Sequence, residues 1–152
     1  MRTIRAALLA VGAVQLTIGV LLLLAPHFFY DEFPGLGRQW VAALPPYSQH
    51  ALTDFGGALL GIGTATLVAG VTLRPGAVQV ACVANIVQGG AHFAYHLTRA
   101  DALPTADTIV NQALIAIGPL VCAAVLLALP RAASLGAEGD GRGRAGGLAG
   151  GE

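Results

Sequence analysis

The chain has 152 residues, of which 55% are hydrophobic and only 11% charged, and its mean hydropathy is +0.71. Ordinary soluble domains carry about 25% charged residues, so this composition excludes one. Eight basic residues balanced by eight acidic ones, with only two cysteines, also exclude a nucleic-acid partner and a disulfide-stapled fold, and leave the lipid bilayer as the chain's first partner.

Crossing a hydrocarbon core about 30 Å thick takes roughly 20 apolar helical residues. The first such run covers about 6–25 and holds no charge. Arg2 and Arg5 precede it as in a secretory leader. Its apolar stretch nevertheless exceeds the roughly 7–15 residues of a leader, and Leu23-Leu24-Ala25 is a poor cleavage site, so it is predicted to be a retained helix. Beyond Pro26 the segment up to Gln49 is dense in rings, with Phe28, Phe29, Tyr30, Phe33, Trp40 and Tyr47. Such rings settle at the headgroup level, which predicts an interfacial segment; the second reading is a lid that grips a ligand.

The second span covers about 51–73, with Asp54 as its only charge. Gly57, Gly61, Ala65 and Ala69 recur every four residues along it, and Gly56, Gly63 and Gly70 every seven; Gly12 and Gly19 repeat the seven-residue spacing in the first span. Small residues let helix backbones approach closely in lipid, so these stripes predict helix packing within the chain, with a homo-oligomer contact as the alternative. Arg74-Pro75-Gly76 marks a tight turn into a third span at about 77–97, which has no formal charge but carries His92 and His96. The fourth span covers about 108–129, and Pro130-Arg131 ends it. The Gly- and Ala-rich remainder, 131–152, is predicted to be a disordered tail. The fold class expected is all-α: a membrane-spanning, antiparallel, up-down four-helix bundle over 1–130.

All the basic residues are arginines. Four spans place Arg2, Arg5, Arg74, Arg131, Arg142 and Arg144 on one side, and only Arg38 and Arg99 on the other. By the positive-inside rule both termini, and with them the tail, are expected in the cytoplasm, making this a multi-pass protein of a cytoplasmic membrane.

Polar residues then gather toward the extracytoplasmic face. His50 and Asp54, His92 and His96, and Asp107 and Asn111 are each four apart, so each pair shares a helix face. Asn85 and Gln88 extend the His92 and His96 stripe into the membrane. A polar stripe in hydrocarbon faces protein or water rather than lipid, which makes this layer the candidate ligand or proton site. Its sharpest form is metal binding by His50, Asp54, His92 and His96, with a transition metal or haem as the cofactor. Against it stands hydrogen bonding among the same residues with no ligand at all. Gln15 and Thr17 are expected to bond neighbouring helices, and Cys82 and Cys122 to be small packing residues.

The layout resembles the small four-helix bacterial membrane proteins grouped as DoxX-like. The shared features are length, four spans and a loop after the first, here carrying Phe29-Tyr30-Asp31-Glu32-Phe33-Pro34-Gly35. The stretches His50-x-x-x-Asp54-x-Gly56-Gly57 and His92-x-x-Tyr95-His96 resemble features of actinobacterial members. The resemblance covers about 4–130 and implies a fold and a bacterial membrane location, with no catalytic residue. The function expected is a small accessory or binding protein with an extracytoplasmic His/Asp site. One alternative is a metal- or haem-binding redox subunit acting with quinone. Another is a proton-coupled carrier whose path the stripe Asn85, Gln88 and His92 would line, expected to need a homo-oligomer because four short helices give a monomer little room for a translocation cavity.

Overall fold

The computed structural model of the chain describes residues 1–44 and 46–147, with the course of the helix alone from 130 onward. The described residues form five α-helices and one two-residue-per-strand hairpin. Helix α1 spans Arg2–Leu24. It stops there because the residue before a proline is pushed out of helical geometry, and Ala25 takes φ −142° and ψ 56° ahead of Pro26. Pro26 opens the short helix α2, Pro26–Glu32, where its missing N–H costs nothing. Strands β1 (Pro34–Gly35) and β2 (Arg38–Gln39) pair antiparallel. Their tight turn runs through Gly35, Leu36 and Gly37, all at positive φ.

Helix α3, Gln49–Thr72, is capped by Ser48, whose hydroxyl accepts from the Ala51 amide at 3.3 Å. It ends on Leu73 in left-handed geometry, and Arg74 leads directly into α4, Pro75–Leu97. Helix α5 runs Thr105–Gly147. Arg2 and Arg5 before the first expected span, and Asp107 before the fourth, are helical too. From 131, where a disordered tail is expected, the backbone course is that of α5 as far as Gly147. Positions 148–152 of that expected tail lie outside the described residues.

Among the described residues, three helices are long and apolar enough to cross a membrane: Arg2–Leu24, Gln49–Thr72 and Thr105–Leu129. This all-helical chain is thus a membrane protein by length and composition. Helix α4 is equally long, at 23 residues, but Asn85, Gln88, His92 and His96 lower its hydropathy, so three spans rather than four stand on composition alone.

Helix α1 packs antiparallel on α3 at backbone range. A Cβ placed on Gly19 would lie 2.9 Å from the Gly56 carbonyl oxygen, and one on Gly63 would lie 3.2 Å from that of Gly12. The seven-residue stripe is therefore the α1–α3 seam, as the small-residue spacing predicts. Gly57 and Gly61 face open space. Helices α4 and α5 form a second close pair, α3 bridges to α4, and α1 touches α5 only lightly. Near the amino terminus and Arg74, a dry core of Leu8, Ala69, Val78, Ala81, Cys82, Cys122 and Val125 closes the assembly. Both cysteines are buried and free within it. Outward-facing valines and leucines, Val68, Val80, Val87, Leu120 and Leu127 among them, are more than half exposed, an apolar surface that lipid would cover.

Candidate functional site

The light contact between α1 and α5 leaves a cavity of about 680 Å³, inside the range of small-molecule sites. Val11, Val14 and Ile18 of α1 form one wall, and Leu114, Ile117, Gly118 and Pro119 of α5 another. Phe55 and Leu59 of α3 and the inner face of α4 complete it. Pro119 has no N–H, so the Ile115 carbonyl beside the cavity lacks its usual helical donor. Pro119 also packs against Gly89, where a Cβ would come within 3.0 Å of the ring.

The aromatic segment is a cap over this cavity. Phe29, Phe33, Trp40, Val41 and Leu44 all line it. Phe29 stacks on Phe33 at 4.5 Å, and Phe33 meets Trp40 edge-on at 6.2 Å. The Trp40 amide donates to the Phe33 carbonyl at 2.8 Å and locks the base of the hairpin. Trp40 is only 3% exposed, and its indole Nε1, the donor of the ring, is buried without a partner. Arg38 fastens the cap to the start of α5 through Asp107, at 3.4 Å. His27, at the rim, stacks on Tyr47 at 3.9 Å.

The polar layer divides. Asn85, Gln88, His92, His96 and Asn111 line the cavity, whereas His50, Asp54 and Asp107 do not. Asn85 is the hub of a buried network. It accepts from Gln15 Nε2 at 2.7 Å and donates through Nδ2 to the Thr66 hydroxyl at 2.8 Å and the Ala81 carbonyl at 2.8 Å. Gln15 thereby bonds a neighbouring helix as expected, but Thr17 turns back to the Ala13 carbonyl of its own helix. Gln15 Oε1 is left buried without a partner. Nearer the cap, His92 stands edge-on to Phe55 at 5.4 Å and 4.8 Å from the His96 ring.

The metal-binding quartet does not assemble. His50 and Asp54 pair with each other at 3.4 Å on the outside of α3, with side chains 89% and 67% exposed. His92 and His96 face the cavity instead. Among the described residues no three His, Cys, Asp or Glu side chains gather as a metal site would require. A shared depth in the membrane placed these residues in one layer, but helix rotation sends the two pairs to different faces. The monomer holds a cavity of its own, although not one that runs the length of the bundle as a carrier would need.

Sequence reasoning passed over several residues. Trp40 was visible as the single tryptophan in an aromatic run, the signal behind the lid reading. Nothing marked Val14, Ile117 or Gly118 as cavity wall, because an apolar residue facing a cavity and one facing lipid look alike in sequence. No family model, curated protein or solved structure matches this chain.

Proposed function

We propose that this is a multi-pass protein of a bacterial cytoplasmic membrane, built as an antiparallel four-helix bundle with both termini inside, that binds a small lipid-phase molecule beneath its extracytoplasmic cap. The observation that carries this reading is the capped cavity itself, with apolar walls and polar residues drawn from α1, α4 and α5. Treating α4 as the fourth span is supported by its two faces. Val80, Val83 and Val87 point outward, while Asn85, Gln88, His92 and His96 face the cavity, as an intramembrane polar stripe requires.

Binding is favoured over transport because the cavity is closed toward Arg74. The dry core around Leu8, Val78, Cys82 and Val125 blocks a path toward Arg74, and a carrier would have to break that packing in each cycle. The DoxX-like resemblance is consistent with such a small membrane partner. Solvent extraction of the purified protein, followed by mass spectrometry, tests the reading. One compound enriched to about one per chain is expected; an extract matching bulk membrane lipid would overturn it.

A further inference from the structure

Resting on that reading, we propose that the ligand is an uncharged amphiphile of the bilayer, which enters sideways between α1 and α5 and places its polar end beneath Trp40.

Charge defines the class. Among the described residues, no Asp, Glu, Lys or Arg lines the cavity. Arg38 pairs with Asp107 and His50 with Asp54, each at 3.4 Å, and none of the four lines the cavity. An ionic headgroup moved into this space would shed its hydration and meet no formal counter-charge, a loss worth several kcal/mol in general. A hydroxyl or carbonyl oxygen loses far less and finds donors.

The donors fix the orientation. Trp40 Nε1 is buried, unpartnered and belongs to a residue of the cavity wall. Leaving such a donor unmade costs about 1–3 kcal/mol, which an oxygen on the ligand would recover. His92, His96 and Gln88 offer further N–H groups on the same wall. From Ile18 down to Ala7 the α1 wall is apolar apart from Gln15 and, at 1.5 Å per residue, about 16 Å deep. An apolar tail therefore has somewhere to lie, directed away from the cap.

The route follows from exposure. Val14 of α1 and Ile117 of α5 line the cavity and are 58% and 51% exposed, which a space sealed on all sides would not allow. The space thus reaches the lipid-facing side between the two helices that scarcely touch. The cap closes one end and the dry core the other.

Trp40 is the sole tryptophan, so its fluorescence reports on this space alone. The full chain in unbrominated phosphatidylcholine vesicles would be titrated with dibromo-octadecanol. The comparison probes are the permanently charged dibromo-octadecyl sulfate and dibromo-octadecyl trimethylammonium. The alcohol should quench saturably, reversed by plain octadecanol, with both ions at least about tenfold weaker. Val14→Phe with Ile117→Phe, at exposed positions that leave the fold intact, should slow the onset by about tenfold at an unchanged unfolding temperature. Equal saturable quenching by an ion would overturn the uncharged class and leave the binding reading standing. An unchanged onset in the narrowed variant would overturn the lateral route. Linear quenching by every probe, with no relief by octadecanol, would overturn both the inference and the binding reading.

Discussion

Gln15 of α1 donates a 2.7 Å hydrogen bond to Asn85 of α4, and this bond ties together two helices that otherwise face each other across a cavity. Asn85 is 2% exposed and Thr66, its next partner, is fully buried. In water such a chain would compete with solvent; in hydrocarbon its members have only each other.

Replacing Asn85 should therefore cost more than the loss of one bond. Asn85→Leu strands the Gln15 amide and is expected to destabilise the protein by about 1–2 kcal/mol in detergent unfolding titrations. Gln15→Leu in the same background should add little, since its partner is already gone. Fully additive losses would mean that the two side chains are not coupled.

The glycines should fall into two classes. A Cβ on Gly63 meets Gln15 Cβ at 3.0 Å and the Gly12 carbonyl oxygen at 3.2 Å, whereas one on Gly61 meets nothing within 4 Å. Gly63→Leu is expected to cost about 1–3 kcal/mol or more by forcing α1 and α3 apart. Gly61→Leu should stay within about 0.5 kcal/mol. Comparable losses at both positions, read as unfolding midpoints, would contradict the α1–α3 seam.

Orientation can be read by thiol labelling against a silent background, because Cys82 and Cys122 are both 0% exposed. Leu36 sits at the hairpin tip, 99% exposed. Leu36→Cys should react with a membrane-impermeant maleimide on intact cells. Arg74→Cys should react only after permeabilisation. The reverse pattern would turn the cap toward the cytoplasm.

Metal content should be negligible. With His50 and Asp54 outside and His92 and His96 inside, no ligand set of three forms among the described residues. Elemental mass spectrometry of protein purified without chelators should give well below one transition metal per chain, and His92→Ala should leave that value unchanged. Stoichiometric metal lost in the variant would require the two pairs to converge, in an oligomer or another conformation.

How much of this was legible in the sequence depended on the kind of signal. Long apolar runs, the Pro26 and Pro75 boundaries and the Gly12/Gly19 against Gly56/Gly63/Gly70 stripes are local or periodic, and the helices, their breaks and the α1–α3 seam follow them. The polar stripe of α4 was legible as a face, and it does face the interior. Which partner each face meets is a question of helix rotation and pairing, which spacing within one helix leaves open. Hence Asp54 falls outside the cavity that His92 lines, and Asp107, a member of the candidate polar layer by spacing, pairs with Arg38 instead of lining the cavity. The cavity depends on α1 and α5 failing to pack, and no residue pattern encodes a missing contact.

Ligand occupancy, measured by native mass spectrometry on the wild type beside Gly118→Phe, tests the central claim most directly. Gly118 lines the cavity and a Cβ there meets nothing within 4 Å, so the ring fills the space without displacing backbone. The wild type should carry a bound non-peptide mass at about one per chain, and Gly118→Phe should lose it at a similar unfolding temperature. A ligand-free wild type, or equal occupancy in both proteins, would contradict the account.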